Sequence, residues 1–121
     1  MTPFGAILKR AVEKTPSAVG GAFADSQGEM VDGFSTTYTA HDWAIMTATY
    51  GVVLAHLHAV FGVWHYGGPE FFIAEHVKLC VVVVAVDKHY FAMIAIADPT
   101  QVADALASMR EAAGALKREM M

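Results

Sequence analysis

Six histidines, one cysteine and twelve carboxylates are the residues here whose types could do chemistry. Imidazoles hold zinc when they converge with further ligands at a fixed spacing. His41, His56, His58, His65, His76 and His89 show no such spacing. His56 and His58 stand two apart in a helical stretch and so point to different faces. No HExxH occurs. Glu75 and His76 fall on a predicted strand, where neighbours face opposite sides. Cys80 is alone, which excludes a disulfide within the chain and a cysteine-rich metal site. It lies in the apolar run 79–86 and reads as a buried small hydrophobe. No metal and no cofactor is expected.

Acid–base and nucleophilic chemistry fare no better. Ser17, Ser26, Ser35 and Ser108 lack a GxSxG elbow. Asp25, Asp42, Asp87 and Asp98 stand at turns and helix starts, where capping accounts for them. Asp32 is the exception. On a regular strand it shares a face with Met30 and Phe34, which marks a solvent rim or a partner contact. Gly20-Gly21 leads into a strand rather than a helix, and neither a GxxxxGK[ST] loop nor a dinucleotide fingerprint occurs. The expectation is a protein with no catalytic residue, and so not an enzyme.

The residues left over are apolar. Hydrophobic types make up 55% of 121 residues and charged types 17%, a rich and a poor share for a globular domain. The length suits one domain, residues 1–121, with a core that needs no disulfide. Surplus apolar surface points to a partner, the simplest being a second copy. A net charge of −4 with scattered lysines and arginines argues against nucleic acid. No basic leader with an apolar core opens the sequence, and its uninterrupted apolar runs are short for a bilayer span. A cytoplasmic chain without membrane insertion is expected.

The elements that must carry these residues are legible. Thr2 and Pro3 cap and open a helix whose apolar stripe is Phe4, Ile7, Leu8, Ala11 and Val12, and Thr15-Pro16 stops it. Residues 17–24 form a strand rich in Ala and Gly, which predicts a helix crossing close above it. Asp25-Ser26-Gln27-Gly28 turns the chain into a second strand, 29–35. Thr39 caps a helix expected over 40–61 that is apolar almost all round, so both its flanks need covering. A loop at 62–68 and strands at 69–77, 79–86 and 90–97 follow. Asp98-Pro99 opens a last helix to about residue 117. The fold class is α/β, of the α+β type: one five-stranded antiparallel sheet in the order α-β-β-α-β-β-β-α, helices on its faces.

The stretch AVEKTPSAVGGAFADSQGEMVDGFS, residues 11–35, resembles the opening of roadblock dynein light-chain (Roadblock-LC) domains, MglB-like members among them. Asp25 and Gly28 occupy the matching turn positions, and the order of elements fits over nearly the whole chain. The resemblance implies a homodimer paired through the long second helix and a sheet edge. It implies a non-enzymatic scaffold or regulator of a small Ras-like GTPase. It implies no arginine finger, so Arg10, Arg110 and Arg118 stay ordinary helix-surface residues. The stretch VFGVWHYGGPEFFIAEH, residues 60–76, is more aromatic and richer in histidine than the family pattern. Helical spacing along one flank selects Trp43, Met46, Tyr50, Val53 and Leu57 for the dimer contact, with Phe71, Phe72 and Ile73 for the pairing edge. The alternative is a small-molecule sensor with an aromatic pocket over residues 64–72, built on Trp64, Tyr66, Phe71 and Phe72.

Overall fold

A computed structural model of the chain describes residues 2–64 and 67–121. Helix α1 covers Pro3–Glu13, strands β1 and β2 Ala18–Asp25 and Met30–Ser35, and helix α2 Ala40–Val63. Strands β3, β4 and β5 follow at Phe71–Glu75, Cys80–Ala85 and Tyr90–Ile96. A 3-10 turn at Pro99–Gln101 leads into helix α3, Val102–Met120. The five strands form one antiparallel sheet in the order β2-β1-β5-β4-β3, so β2 and β3 are its edges.

Three layers result. Leu8, Ala11 and Val12 of α1 and Met109, Ala113 and Leu116 of α3 cover one face, over Phe23, Val82, Val84, Ile94 and Ile96. Trp43, Tyr50 and Leu54 of α2 cover the other, over Ala22, Val81, Val83, Phe91 and Met93. Strand β4 is buried on both faces from Cys80 to Val84, as its β-branched run requires.

The glycines of β1 set the approach of both layers. A Cβ on Gly21 would stand 2.8 Å from Val12 Cγ2 of α1. One on Gly20 would stand 2.7 Å from the Phe34 carbonyl and 3.0 Å from the Trp43 ring. Neighbouring glycines on a strand face opposite ways, so one pair admits a helix on each side.

The caps are those the sequence announces. The Gly5 amide donates to Thr2 Oγ1 at 3.0 Å and the Asp42 amide to Thr39 Oγ1 at 3.1 Å. In the first hairpin, Asp25 Oδ1 accepts from the amides of Gln27 and Glu29, and Gly28 takes a φ of 85°. Gly28 also lies against α2, where a Cβ would come 2.8 Å from Ala48 Cα.

Four expectations change. Strand β3 is shorter than 69–77. Helix α2 outruns 61 to reach Val63, so the loop expected at 62–68 starts later; His65 and Tyr66 of that loop lie outside the described residues. The last helix starts with the 3-10 turn and continues to Met120. Finally, Met30, Asp32 and Phe34 do not share a face. A bulge opposite Phe23 and Ala24 pairs Asp32 with Phe23 but Met30 with Ala24. One extra residue reverses side-chain alternation, so Met30 packs under α2 and Phe34 under α1.

Uninterrupted runs also understate α2. Over 24 residues it has one Asp and no Lys, Arg or Glu, and it is long and apolar enough to cross a membrane by length and composition. Here it lies along its own sheet instead.

The glycine contacts predict opposite outcomes for two alanine substitutions. Gly20→Ala presses on a backbone carbonyl and should cost about 1–3 kcal/mol. Gly114→Ala, inside α3 with only Arg118 Nη1 near at 3.5 Å, should add about 0.5–1 kcal/mol. Urea unfolding of both variants checks the pair.

Candidate functional site

Trp43 decides which way α2 faces. Its side chain is 1% exposed, and its indole N–H donates to the Gly21 carbonyl at 3.1 Å. Thr47, one turn on, is buried and donates its hydroxyl to the Trp43 carbonyl at 2.8 Å. Tyr50 follows, also buried, with its hydroxyl 2.5 Å from His76 Nε2 and its ring 6.4 Å from that of Phe72. Burial, then the nearby Cys80 and Tyr38, push the Tyr50 phenol up. Leu54 completes the inward flank.

The opposite flank is apolar and open. Ile45, Val52, Val53, Val60 and Val63 are all exposed, Val52 by 56% and Val63 by 74%. Their spacings of seven, eight, fifteen and eighteen from Ile45 put them on one side. The helix also overhangs its support. It is about 36 Å long, whereas the eight residues of β1 reach about 26 Å. Phe61 and Trp64 at the far end are consequently exposed, Trp64 by 64%.

The residues chosen for the dimer contact therefore divide. Trp43 and Tyr50 face their own sheet, and Met46 packs against the same cluster. Tyr50→Asp would test folding before it tested assembly. Leu57 is half-buried and Val53 is exposed. Ile45, Val52, Val60 and Val63, exposed on the same side as Val53, were not among the residues chosen. A helix apolar all round gives no phase, so spacing alone does not say which flank meets the sheet, and Trp43 and Tyr50 have polar tips that find partners inside.

Phe71, Phe72 and Ile73 do lie on an edge strand, β3, which pairs only with β4. Ile73 is 42% exposed. Phe71 packs on the α3 side, with the Arg110 guanidinium 5.5 Å over its ring. Phe72 packs on the α2 side. Facing opposite ways, the two rings cannot line one pocket. The pocket expected over 64–72 also included Tyr66, outside the described residues. An open cleft of about 330 Å³ does exist elsewhere, between α2 and two hairpin turns, lined by Leu54, Ala55, His58, Asp87 and Lys88 among others.

Asp32 and Asp98, two of the polar residues that could do chemistry, have structural partners. Asp32 accepts from the Thr2 hydroxyl and from the Gly33 amide, tying β2 to the cap of α1. The Thr100 hydroxyl and then its amide hold the Asp98 carboxyl below its usual value. Among the described residues, no group of three or more His, Cys, Asp or Glu could hold a metal ion. Cys80 is buried, and burial, then Glu75, push its thiol up.

The arrangement is a three-layer α+β domain with an exposed apolar helix face on one side and an edge strand at each end of its sheet. No family model and no curated protein matches the sequence. Solved structures do match. MglB of Myxococcus xanthus superposes with a TM-score of 0.87 at 12% identity, covering 99% of this chain and 96% of that one. A Roadblock/LC7 domain from Streptomyces avermitilis gives 0.87 at 9%, covering 97% of each. An MglB described with a tetrameric arrangement gives 0.84 at 11%, covering 98% and 90%. The chain has the roadblock-like fold, of the MglB type.

Two measurements test this assignment of faces. Trp43→Ala should cost about 3–5 kcal/mol in urea unfolding, whereas Val52→Ala should change the stability of the isolated chain by no more than about 0.5 kcal/mol. The raised, buried Cys80 thiol should not react with a disulfide reagent at pH 8 in the folded protein. It should react stoichiometrically in denaturant.

Proposed function

We propose that this chain is a non-enzymatic, cytoplasmic homodimer that serves as a platform for a small Ras-like GTPase and regulates it. The carrying observation is the uncharged apolar face of α2, exposed along the helix from Ile45 to Val63. Water-exposed apolar patches of this extent mark interaction sites. A face without charge is self-complementary, because two copies can meet on it without opposing like charges. One helix face falls short of the roughly 800 Å² per partner of a standard interface. The open edge of β3 supplies further surface, through backbone groups and Ile73. The revised contact set is Ile45, Val52, Val53, Val60 and Val63 with the β3 edge. The tetrameric arrangement named for one MglB structure supports self-association in this fold. The GTPase assignment rests on the roadblock resemblance of residues 11–35 together with the MglB-type fold. No arginine finger is assigned. Arg110 lies over Phe71, 3.5 Å from Glu70, so regulation would act by arranging the GTPase's own machinery.

Light scattering should give twice the chain mass at micromolar concentration, and Val52→Asp should give the monomer mass with an unchanged far-ultraviolet circular dichroism spectrum. A dimer unaffected by Val52→Asp would refute the choice of face. Tagged protein used as bait should retain a small GTPase from lysate of its source loaded with a non-hydrolysable GTP analogue, and less of it with GDP. Retention in neither state would refute the GTPase assignment.

A further inference from the structure

Between Ile45 and Val63, the outward face of α2 contains one imidazole, that of His56. It is exposed, with Val52 and Val53 at i−4 and i−3 and Val60 at i+4. Thr49, the other polar residue on this side, already donates its hydroxyl to the Ile45 carbonyl at 2.9 Å.

The charged and titratable groups around His56 are few. On α2 itself they are His41 and Asp42 in the first turn, about 20 Å away along the axis, and His58, which borders the cleft with Asp87 and Lys88. The element nearest His56 is the β1–β2 turn, which presents Ser26 and Gln27 to the groove beside it. The acids of that turn are Asp25, whose Oδ1 accepts from two backbone amides, and the exposed Glu29. No carboxylate stands in the stripe to pair with an imidazolium there.

We infer that pairing of two copies through α2 is switched off by protonation of His56. The inference rests on the dimer reading above. A second copy laid on this face removes His56 from water among valines. A neutral imidazole tolerates that move, but an imidazolium loses its hydration and gains no counter-charge. Histidine in water changes charge between about pH 5 and 8. The paired form thus binds fewer protons than two separate copies, so pairing weakens as pH falls through the range in which histidine takes up its proton. As it falls, each excluded proton weakens pairing by up to tenfold per pH unit, and a dimer excludes two.

Sedimentation equilibrium at pH 7.5 and pH 5.5 tests this on the whole chain, with circular dichroism confirming the fold at both. The dimer dissociation constant should rise at least tenfold at pH 5.5. His56→Leu should pair tightly at both values, and His56→Arg should be monomeric at both. A wild-type dimer equally tight at both values would overturn the inference and leave the assembly standing. A pH effect that persists in His56→Leu would also overturn it, assigning the effect to another group. A monomer at pH 7.5 would overturn the assembly and the switch together.

Discussion

The Trp43 indole over the Gly20-Gly21 pair is the contact on which the rest of the structure depends. It needs a gap in the sheet surface, which two adjacent glycines open. It needs an acceptor in that gap, which the Gly21 carbonyl provides. Once the ring is seated, the rotation of α2 about its axis is set. Thr47, Tyr50 and Leu54 turn inward with it, and Ile45, Val52 and Val60 turn outward. The second contact, Gly28 against Ala48, seats the helix again five residues further on. The hairpin from β1 to β2 acts sterically: its glycines give α2 two seats in the first half of the helix.

The polar residues follow the same logic. In a chain with so few charges, caps and turns take several of the aspartates. Asp25 closes a hairpin, Asp98 starts the last helical segment, and Asp32 joins β2 to the α1 cap. Such groups are held by backbone amides and hydroxyls. What remains available to a partner is apolar side chain and backbone edge. The two edges differ. The β2 edge has a bulge and a side-chain tie to α1, both of which discourage strand pairing. The β3 edge is regular over five residues.

Much of the fold could be read from single residues. Thr2-Pro3, Thr39 and Asp98-Pro99 mark three starts, and the Ala/Gly content of β1 announces close helix approach, found on both faces. The bulge opposite Phe23 and Ala24 was not legible. Nothing in MVDGFS says where one extra residue will be absorbed, and the consequence, Met30 and Phe34 on opposite faces, appears only when β2 pairs with β1. The overhang of α2 was hidden as well, since Gly62 reads as an end signal although the helix runs through it.

The sequence by itself could not determine which flank of α2 meets the sheet. Periodicity assigns a face only where apolar and polar residues alternate with the helical repeat, and α2 is apolar on every side. The tertiary structure supplied the missing phase through a partner 22 residues away, the glycine gap in β1 that accepts Trp43. That contact turned Trp43 and Tyr50 inward and left a row of β-branched residues, with His56 among them, facing out.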